Sequence, residues 1–134
     1  MKSTFKEGNK TTRRIVINKE RTITVAGGEF DVYATPEMIR DIEQTCKLYI
    51  LKFADEGEDS VGTQVNISHI GATLKGMSAE VTVTVKSIDS RRITFDISVR
   101  DEFDEVGIGT HERFITDASK SAERLRAKAK KAGV

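Results

Sequence analysis

Residues 35–53 read TPEMIRDIEQTCKLYILKF, and this stretch decides the fold. Thr35 is predicted as the N-cap of a helix, Pro36 suits its first position, and Glu37 places a negative charge in the first turn. Apolar side chains then recur three and four residues apart. They are Met38, Ile39, Ile42, Cys46, Tyr49, Ile50 and Phe53. The spacing predicts one long amphipathic helix that ends near Phe53 and is about 27 Å long.

Beyond the acidic loop 55–60 the hydrophobic period changes from helical to alternating. Alternation of this kind is typical of strands with one apolar face. It predicts four consecutive strands, over about 61–69, 79–87, 93–100 and 106–116. The link Asp89-Ser90 is short enough for the second and third of these strands to form an antiparallel hairpin.

The segment before the helix is predicted to hold strands at about 12–18 and 22–25, followed by a loop from Gly27 to Val32. Since every strand has one apolar face and the helix has one apolar stripe, the helix should pack on the sheet. The sequence therefore predicts an α+β fold in which one long central helix is wrapped by a curved antiparallel β-sheet. Residues 1–134 should form a single domain, with basic ends at 1–11 and 119–134 that are mobile or helical.

The composition excludes several classes of protein. The chain has 134 residues, 32% of them charged and 37% hydrophobic, as in ordinary globular domains. One cysteine and two histidines are too few for a disulfide scaffold or a zinc module, so no metal site is expected. No apolar run approaches the roughly 20 residues of a membrane span, and no signal peptide is evident. We expect a cytoplasmic protein without a membrane partner.

The net charge of +1 hides an uneven distribution. Residues 1–21 hold seven basic and two acidic side chains, residues 120–134 hold six and one, and acidic side chains are in excess between them. Basic ends are usually solvated, and the alternative is that they bind an anion. Because no aromatic residues are interleaved with the basic ones, nucleic acid is not an expected partner.

Two ionisable residues occupy positions where the pattern calls for apolar ones. Glu43 lies at the edge of the helix stripe, and His69 shares its strand parity with Val61, Val65 and Ile67. If the helix covers that face, a carboxylate and an imidazole enter one apolar layer, which is costly unless they are paired. Each alone has a structural explanation, but two such exceptions that face each other commonly mark a site.

Other polar features are less informative. His111, in the segment GTHER, lies on a strand, and the pattern leaves its facing open. The pair Gly107 and Gly109 is not a dinucleotide loop, because no helix follows with the required glycine spacing. Cys46 lies on the apolar stripe and is predicted to be a core residue.

Several short motifs, taken together, resemble a known family. They are Tyr33-Ala34-Thr35-Pro36-Glu37-Met38, Ile42-Glu43, Val61-Gly62-Thr63, Ile67-Ser68-His69 and Gly107-Ile108-Gly109-Thr110-His111-Glu112-Arg113. Over about residues 6–118 the chain resembles the hot-dog-fold thioesterases related to fluoroacetyl-CoA thioesterase. The joint spacing of Thr35, Glu43 and His69 is the specific part of this resemblance.

The resemblance implies hydrolysis of an acyl-CoA thioester at the interface of a hot-dog homodimer, with a tetramer left open. It implies Thr35, Glu43 and His69 as catalytic residues. Gly62 would then lie near the reacting carbonyl and Arg113 in the same region. No cofactor is implied, since coenzyme A is part of the substrate.

The resemblance also bears on the substrate and the mechanism. Fluoroacetyl-specific members carry a phenylalanine-rich lid before the helix, whereas residues 25–31 here are shorter and hold one aromatic, which favours a different short-chain acyl-CoA. Glu43 is expected to act as general base or as nucleophile, with both routes open. Because Thr35 and Glu43 are about 12 Å apart along a helix, a second subunit should complete the site. The coenzyme phosphates need cations, for which Lys120, Arg124, Arg126 and Lys128 are candidates.

Two alternatives remain. A non-catalytic acyl-CoA-binding or regulatory hot-dog domain would use Glu43 and His69 as a structural pair. A dehydratase of the same fold would need an aspartate close to its histidine, and residues 61–68 hold no carboxylate.

Overall fold

The computed structural model describes residues 1–134, in which seven β-strands and two α-helices follow one another. They are β1 (Lys10–Val16), β2 (Thr22–Val25), β3 (Phe30–Tyr33), α1 (Thr35–Leu51), β4 (Glu58–His69), β5 (Ser78–Asp89), β6 (Arg92–Arg100), β7 (Glu105–Asp117) and α2 (Ala118–Ala132). Single turns of 3-10 helix precede and follow β2. Neither α-helix combines the length and the apolar character that a membrane span requires.

Five strands form one antiparallel sheet in the order β1-β5-β6-β7-β4. The helix α1 contacts both β4 and β5, so it crosses this sheet. β2 and β3 form a separate two-stranded hairpin. The predicted α+β plan, with one long helix packed on a curved antiparallel sheet, is therefore confirmed.

The apolar stripe of α1 is the centre of the core. Met38, Ile42, Cys46 and Ile50 have no exposed surface, and they pack with β5 and β6 side chains that are equally buried, such as Phe95. Each large apolar side chain buried in this way contributes about 1.5–3 kcal/mol to folding. Cys46 is a core residue as predicted, and burial raises the pKa of its thiol, which removes it as a nucleophile.

β4 departs from the predicted alternation because it contains a β-bulge. The pairing of β4 with β7 shifts register between Gly62 and Gln64, so the extra residue is Thr63. Before the bulge Val61 faces outward and is exposed, whereas Gly62 faces α1. The prediction that Val61 and His69 share a face was wrong, because one unpaired residue reverses the parity of every later position.

Two boundaries also differ from the predictions. The segment predicted as a loop from Gly27 to Val32 contains most of β3, which pairs with β2 after a turn at Gly27 with φ of 68°. The helix ends at Leu51 rather than near Phe53, which instead packs its ring 5.2 Å from that of Phe5.

The glycine pair in β7 reflects strand packing. A Cβ atom on Gly109 would lie 1.9 Å from the carbonyl oxygen of Asn66 on β4. Only glycine allows the two backbones to approach this closely, so the contact between β7 and β4 explains Gly109. A Cβ atom on Gly107 would lie 2.8 Å from the sulfur of Met38 on α1, so close packing explains that glycine as well.

Candidate functional site

Thr35 and His69 meet where α1 begins and β4 ends. The Thr35 hydroxyl oxygen Oγ1 lies 2.8 Å from Nδ1 of His69. The N-cap of α1 is Ala34, and Thr35 is the first helical residue with no capping hydrogen bond. The prediction of Thr35 as N-cap was therefore wrong. Because the helix begins one residue earlier than a threonine cap would place it, the hydroxyl remains available for His69.

The other nitrogen of His69 has no hydrogen-bond partner. Nε2 is buried and makes no hydrogen bond within the chain. Burial lowers the pKa of His69, an effect that the backbone of Gly71 partly offsets. The imidazole is thus held as a neutral base, and a buried polar atom without a partner is one that a ligand can satisfy.

A mainly apolar pocket opens beside this pair. Its volume is about 430 Å³, and Thr35 and His69 are among its few polar lining residues. The apolar lining comes from the β2–β3 hairpin and from the segment after β4, and consists of Ile23, Val25, Val32, Tyr33, Ile70 and Ala72. The pocket can therefore take a small apolar group next to a hydroxyl and an imidazole.

Glu43 belongs to a second cluster. Its Oε2 lies 4.0 Å from the guanidinium nitrogen Nη1 of Arg113, and its side chain is 43% exposed. A Cβ atom on Gly62 would lie 3.2 Å from Glu43 Oε2 and 3.3 Å from Arg113 Nη1. The missing side chain at Gly62 is what lets the carboxylate and the guanidinium approach the β4 backbone. Both charged residues line a largely polar pocket of about 400 Å³.

Buried hydrogen bonds to Ser60 hold the guanidinium group of Arg113 in place. Its Nε donates to the hydroxyl of Ser60 at 2.9 Å, and Nη2 donates to the Ser60 carbonyl at 3.0 Å. The sequence pattern did not show which face of β7 carries His111. Its side chain is fully buried, and its Nε2 lies 3.2 Å from Nη1 of Arg113. Burial lowers the pKa of Arg113. These contacts fix the guanidinium plane beside Glu43.

The structure therefore sorts the five predicted site residues into two groups. Thr35 and His69 form one group, and Glu43, Gly62 and Arg113 form the other. Gly62 and His69 are seven residues apart on β4, which corresponds to about 23 Å of strand. Within one chain these side chains do not converge on a common point.

A buried ionic cluster links the hairpin to α1, and the sequence analysis missed it. Asp41 is 4% exposed and accepts two hydrogen bonds from the Arg21 guanidinium, at 2.9 and 3.1 Å. The hydroxyl of Tyr33 also donates to Asp41, and burial together with this bond raises the pKa of Tyr33. Asp41 lies three residues after Met38, on the buried face of α1, but its partner Arg21 is too distant in sequence to be identified from a periodic pattern. The cluster fixes the wall of the apolar pocket.

Of the four basic residues of α2 that were candidates for binding phosphate, two line a pocket and two do not. Lys120 and Arg124 line a pocket of about 450 Å³ on the outer sheet face, together with Arg91, Val61 and Phe114. Arg126 and Lys128 are exposed on α2 and do not line it.

The sequence matches a family of known enzymes. The family described as fluoroacetyl-CoA-specific thioesterase (FlK) matches residues 12–119. The chain is also 30% identical over 135 residues to the fluoroacetyl-CoA thioesterase of Streptantibioticus cattleyicolor, a match that covers 96% of this chain and 97% of the relative.

Solved structures agree with these matches. A structure of fluoroacetyl-CoA thioesterase superimposes with a TM-score of 0.84 at 30% identity, covering 92% of this chain and 97% of the other. A Thr-to-Ser variant of that enzyme has been solved in complex with acetyl-CoA. A thioesterase superfamily member from Thermus thermophilus gives a TM-score of 0.87 at 26% identity over 96% of both chains.

A hot-dog-like protein from Thermanaerovibrio acidaminovorans gives a TM-score of 0.85 at 19% identity, over 92% of this chain and 93% of the other. At that identity the likeness bears on the fold alone, and it confirms the hot-dog prediction. Because the family match spans most of the chain and the 30% identical relative spans nearly all of it, the chain belongs to the fluoroacetyl-CoA-specific thioesterase family, a family of hot-dog-fold thioester hydrolases.

Proposed function

We propose that the protein hydrolyses a short-chain acyl-CoA thioester to the free acid and coenzyme A. The observation that carries the proposal is the pocket in which the Thr35–His69 pair adjoins an apolar wall. The acyl group would occupy the apolar part, and the thioester carbonyl would lie beside the hydroxyl and the unpaired Nε2 of His69. A Thr-to-Ser variant of a relative has been solved in complex with acetyl-CoA, which supports a small acyl group.

We further propose that two chains assemble a complete site. β4 is a 12-residue strand at the edge of the sheet, and it exposes Val61 and Val65. Long edge strands with apolar side chains tend to pair with another chain. An antiparallel pairing of two β4 strands centred between Val65 and Asn66 would set His69 of one chain opposite the partner's Gly62. This arrangement would bring the two groups of site residues together twice in one symmetric dimer.

Thioester hydrolysis needs an attacking oxygen and donors for the oxyanion more than it needs a strong acid. The departing thiol has a pKa near 8.5, so it can leave as thiolate. Glu43 would either take a proton from the attacking water or attack the carbonyl itself to form an anhydride that water then cleaves. In both routes the C–S bond breaks, coenzyme A departs as thiolate and takes up a proton, and the carboxylate of Glu43 is regenerated.

The proposed dimer site would also place hydrogen-bond donors near the reacting carbonyl. Arg113 would place a positive charge beside the developing oxyanion, and Thr35 would contribute a hydroxyl near the thioester. His69 would accept or relay a proton, since its neutral form is favoured by burial. Gly62 would keep the approach to the carbonyl open.

The lid segment bears on which acyl group is accepted. Residues 25–31 hold a single aromatic, Phe30, which is 46% exposed rather than packed into the pocket. A pocket with a mainly aliphatic wall selects by size and apolar contact, and one methylene is worth about 1–3 kcal/mol there. We therefore expect acetyl-CoA and propionyl-CoA to be better substrates than long-chain acyl-CoAs, with no special preference for fluoroacetyl-CoA.

We assign the coenzyme phosphates to the basic groove that contains Lys120 and Arg124. The double variant Lys120→Glu/Arg124→Glu should raise KM for acetyl-CoA at least about tenfold. It should leave KM for acetyl-pantetheine unchanged, because that compound lacks the nucleotide. The variant Arg126→Glu/Lys128→Glu has the same change in charge outside the groove and is the control. Equal effects of the two variants would remove the groove from the site.

A panel of acyl-CoAs tests the main proposal. Thiol release from acetyl-, propionyl-, butyryl- and palmitoyl-CoA is measured with the wild type and with Glu43→Gln. The proposal expects turnover of the short substrates by the wild type and a loss of at least about 100-fold in the variant. Tight binding of acyl-CoA without turnover in the wild type would instead favour the non-catalytic acyl-CoA-binding alternative.

Oxygen isotope labelling separates the two routes for Glu43. Repeated turnover in water enriched with oxygen-18 would transfer label to the Glu43 side chain if an anhydride forms and water attacks its Glu43 carbonyl. If Glu43 is only a general base, the label enters the acid product alone. Mass spectrometry of the peptide that contains Glu43 distinguishes these outcomes.

A further inference from the structure

His111 is a buried histidine next to the proposed site, and neither the resemblance nor the sequence pattern gave it a role. It lies on β7 with no exposed surface, directly opposite Phe95 of β6 and Val65 of β4. The three side chains therefore share the face of the sheet that carries Gly62. A Cβ atom on Gly62 would lie 3.2 Å from Cε1 of the imidazole.

The partners of His111 determine its protonation state. Nδ1 lies 2.9 Å from the carbonyl oxygen of Gln64, which can only accept, so Nδ1 carries the proton. Nε2 lies 3.2 Å from Nη1 of Arg113, which can only donate, so Nε2 must be unprotonated. The neutral Nδ1-protonated tautomer is the one form that satisfies both contacts. A second proton would place two donors and two positive charges against each other.

We propose that His111 is a positioning residue, which accepts a hydrogen bond from Arg113 at Nε2 and so holds the guanidinium beside Gly62 and Glu43. The inference rests on the proposed function, because it assigns Arg113 to the reacting region. Nη1 is the nitrogen nearest to Glu43 Oε2. It carries two protons, and His111 accepts one of them, which leaves the other for the carboxylate or for a substrate oxygen.

The surroundings of His111 support a fixed, neutral acceptor. Arg113 on β7 and Glu43 on α1 are the charged groups on its side of the sheet, Glu112 lies on the other face of β7, and β6 contributes the apolar Phe95. Burial is the largest effect on the pKa of His111 and lowers it. The charge of Arg113 acts on this pKa in the same direction, whereas the Gln64 carbonyl, Glu43 and Glu112 act in the opposite direction. Ser60 holds Nε and Nη2 of the guanidinium, so His111 supplies the remaining buried contact, which fixes Nη1.

Two substitutions separate the contacts of His111. The carboxamide oxygen of His111→Gln can reach the position of Nε2 and accept from Arg113. The shorter side chain of His111→Asn reaches only the position of Nδ1, so it keeps a donor for Gln64 and loses the acceptor. We expect kcat to stay within a few-fold of the wild type in His111→Gln and to fall about 10- to 100-fold in His111→Asn, with KM little changed. Equal kcat values for the two variants at equal thermal stability would overturn the proposal.

Nitrogen NMR of the imidazole in the wild type provides a readout that does not depend on activity or on the folding of a variant. The proposal expects a protonated Nδ1 and an unprotonated Nε2, with the Arg113 side-chain resonances of an immobile guanidinium. The opposite tautomer would overturn it. If the wild type hydrolyses no acyl-CoA, the proposed function fails, and the NMR result still decides whether His111 holds Arg113.

Discussion

The hydroxyl oxygen of Thr35 lies 2.8 Å from Nδ1 of His69, and this contact joins the first residue of α1 to the last residue of β4. The helix begins with an alanine cap, although a side-chain cap at that position is typically worth about 1 kcal/mol. The helix thus lacks the usual side-chain cap at its N-terminus, and the Thr35 hydroxyl contacts His69 instead. Departures from local structural preferences of this kind are common at functional sites.

Removal of the Thr35 hydroxyl should impair turnover. Thr35→Val keeps the shape of the side chain, and we expect it to lower kcat about 10- to 100-fold because His69 loses its partner at Nδ1. Thr35→Ser keeps the hydroxyl and serves as the matched variant, with kcat within a few-fold of the wild type. Steady-state assays with the best short acyl-CoA measure both, and equal kcat values would exclude a role for the hydroxyl.

Hybrid dimers should recover activity from two inactive parents. In a hybrid of Thr35→Ala and Glu43→Ala chains, one site carries both defects and the other carries neither. Random exchange of subunits should therefore restore about a quarter of the wild-type activity. Subunit exchange is verified with differently tagged chains, and absence of recovery after complete exchange would mean that each chain supplies a whole site.

A methyl group at Gly62 should disturb the site more than the fold. The new Cβ atom would lie 3.2 Å from both Glu43 Oε2 and Cε1 of the buried His111 ring, and 3.3 Å from Arg113 Nη1. The partly exposed carboxylate and the fixed Arg113–His111 pair must therefore shift by a few tenths of an ångström. We expect Gly62→Ala to lower kcat at least about tenfold. Its urea unfolding midpoint should stay close to that of the wild type. Wild-type kcat in Gly62→Ala would show that the close approach has no catalytic purpose.

Stability should fall as the pH drops below the ordinary histidine pKa. The chain has two histidines, and burial lowers the pKa of both in the folded state. Below a pH of about 6.5 the unfolded chain binds protons that the folded chain does not, so the free energy of unfolding decreases. Urea unfolding at pH values of about 7.5 and 5.5 measures the loss. The double variant His69→Gln/His111→Gln should lose less stability over this interval, and an unchanged loss would assign the effect to other groups.

The buried cluster around Asp41 should contribute measurably to stability. Asp41→Asn weakens the hydrogen bonds from Arg21 and leaves a partly buried guanidinium without a charged partner. We expect the free energy of unfolding to fall by about 1–3 kcal/mol. The control is Asp96→Asn, whose partner Lys86 is 3.9 Å away on the surface, and it should change stability by less than about 1 kcal/mol. Equal effects would contradict a special role for burial.

The long periodic elements of the fold could be predicted from the sequence. The apolar stripe of α1 and the alternation in β5, β6 and β7 extend over many residues. Several apolar positions therefore indicate the same type of secondary structure in each element. The β-bulge at Thr63 could not be predicted, because one unpaired residue leaves no compositional mark and yet reverses the facing of β4 beyond it. The short hairpin strand β3 was missed because four residues give too little alternation to detect.

The site was predictable only in part for a related reason. Glu43 and His69 stood out because they interrupt apolar patterns, and the resemblance added Thr35. The facing of His111 stayed open, because its position follows from the pairing of β7 with two neighbours rather than from its own surroundings in sequence. Asp41 was overlooked because its partner Arg21 lies 20 residues earlier, outside any helical or strand period.

The tip of the β2–β3 hairpin, residues 25–30, is exposed, whereas Tyr33 at the end of β3 belongs to the core. Backbone hydrogen bonds from Tyr33 to Thr73 and from Lys75 to Asp31 join the hairpin to the segment after β4, and the Arg21–Asp41 ion pair anchors its base. Substitutions at the exposed tip, beyond these anchors, therefore leave the five-stranded sheet and its core untouched. In a chain organised in this way, a few substitutions at exposed residues can change the preferred acyl group. Few mutations are then needed for such a change, in evolution or in engineering.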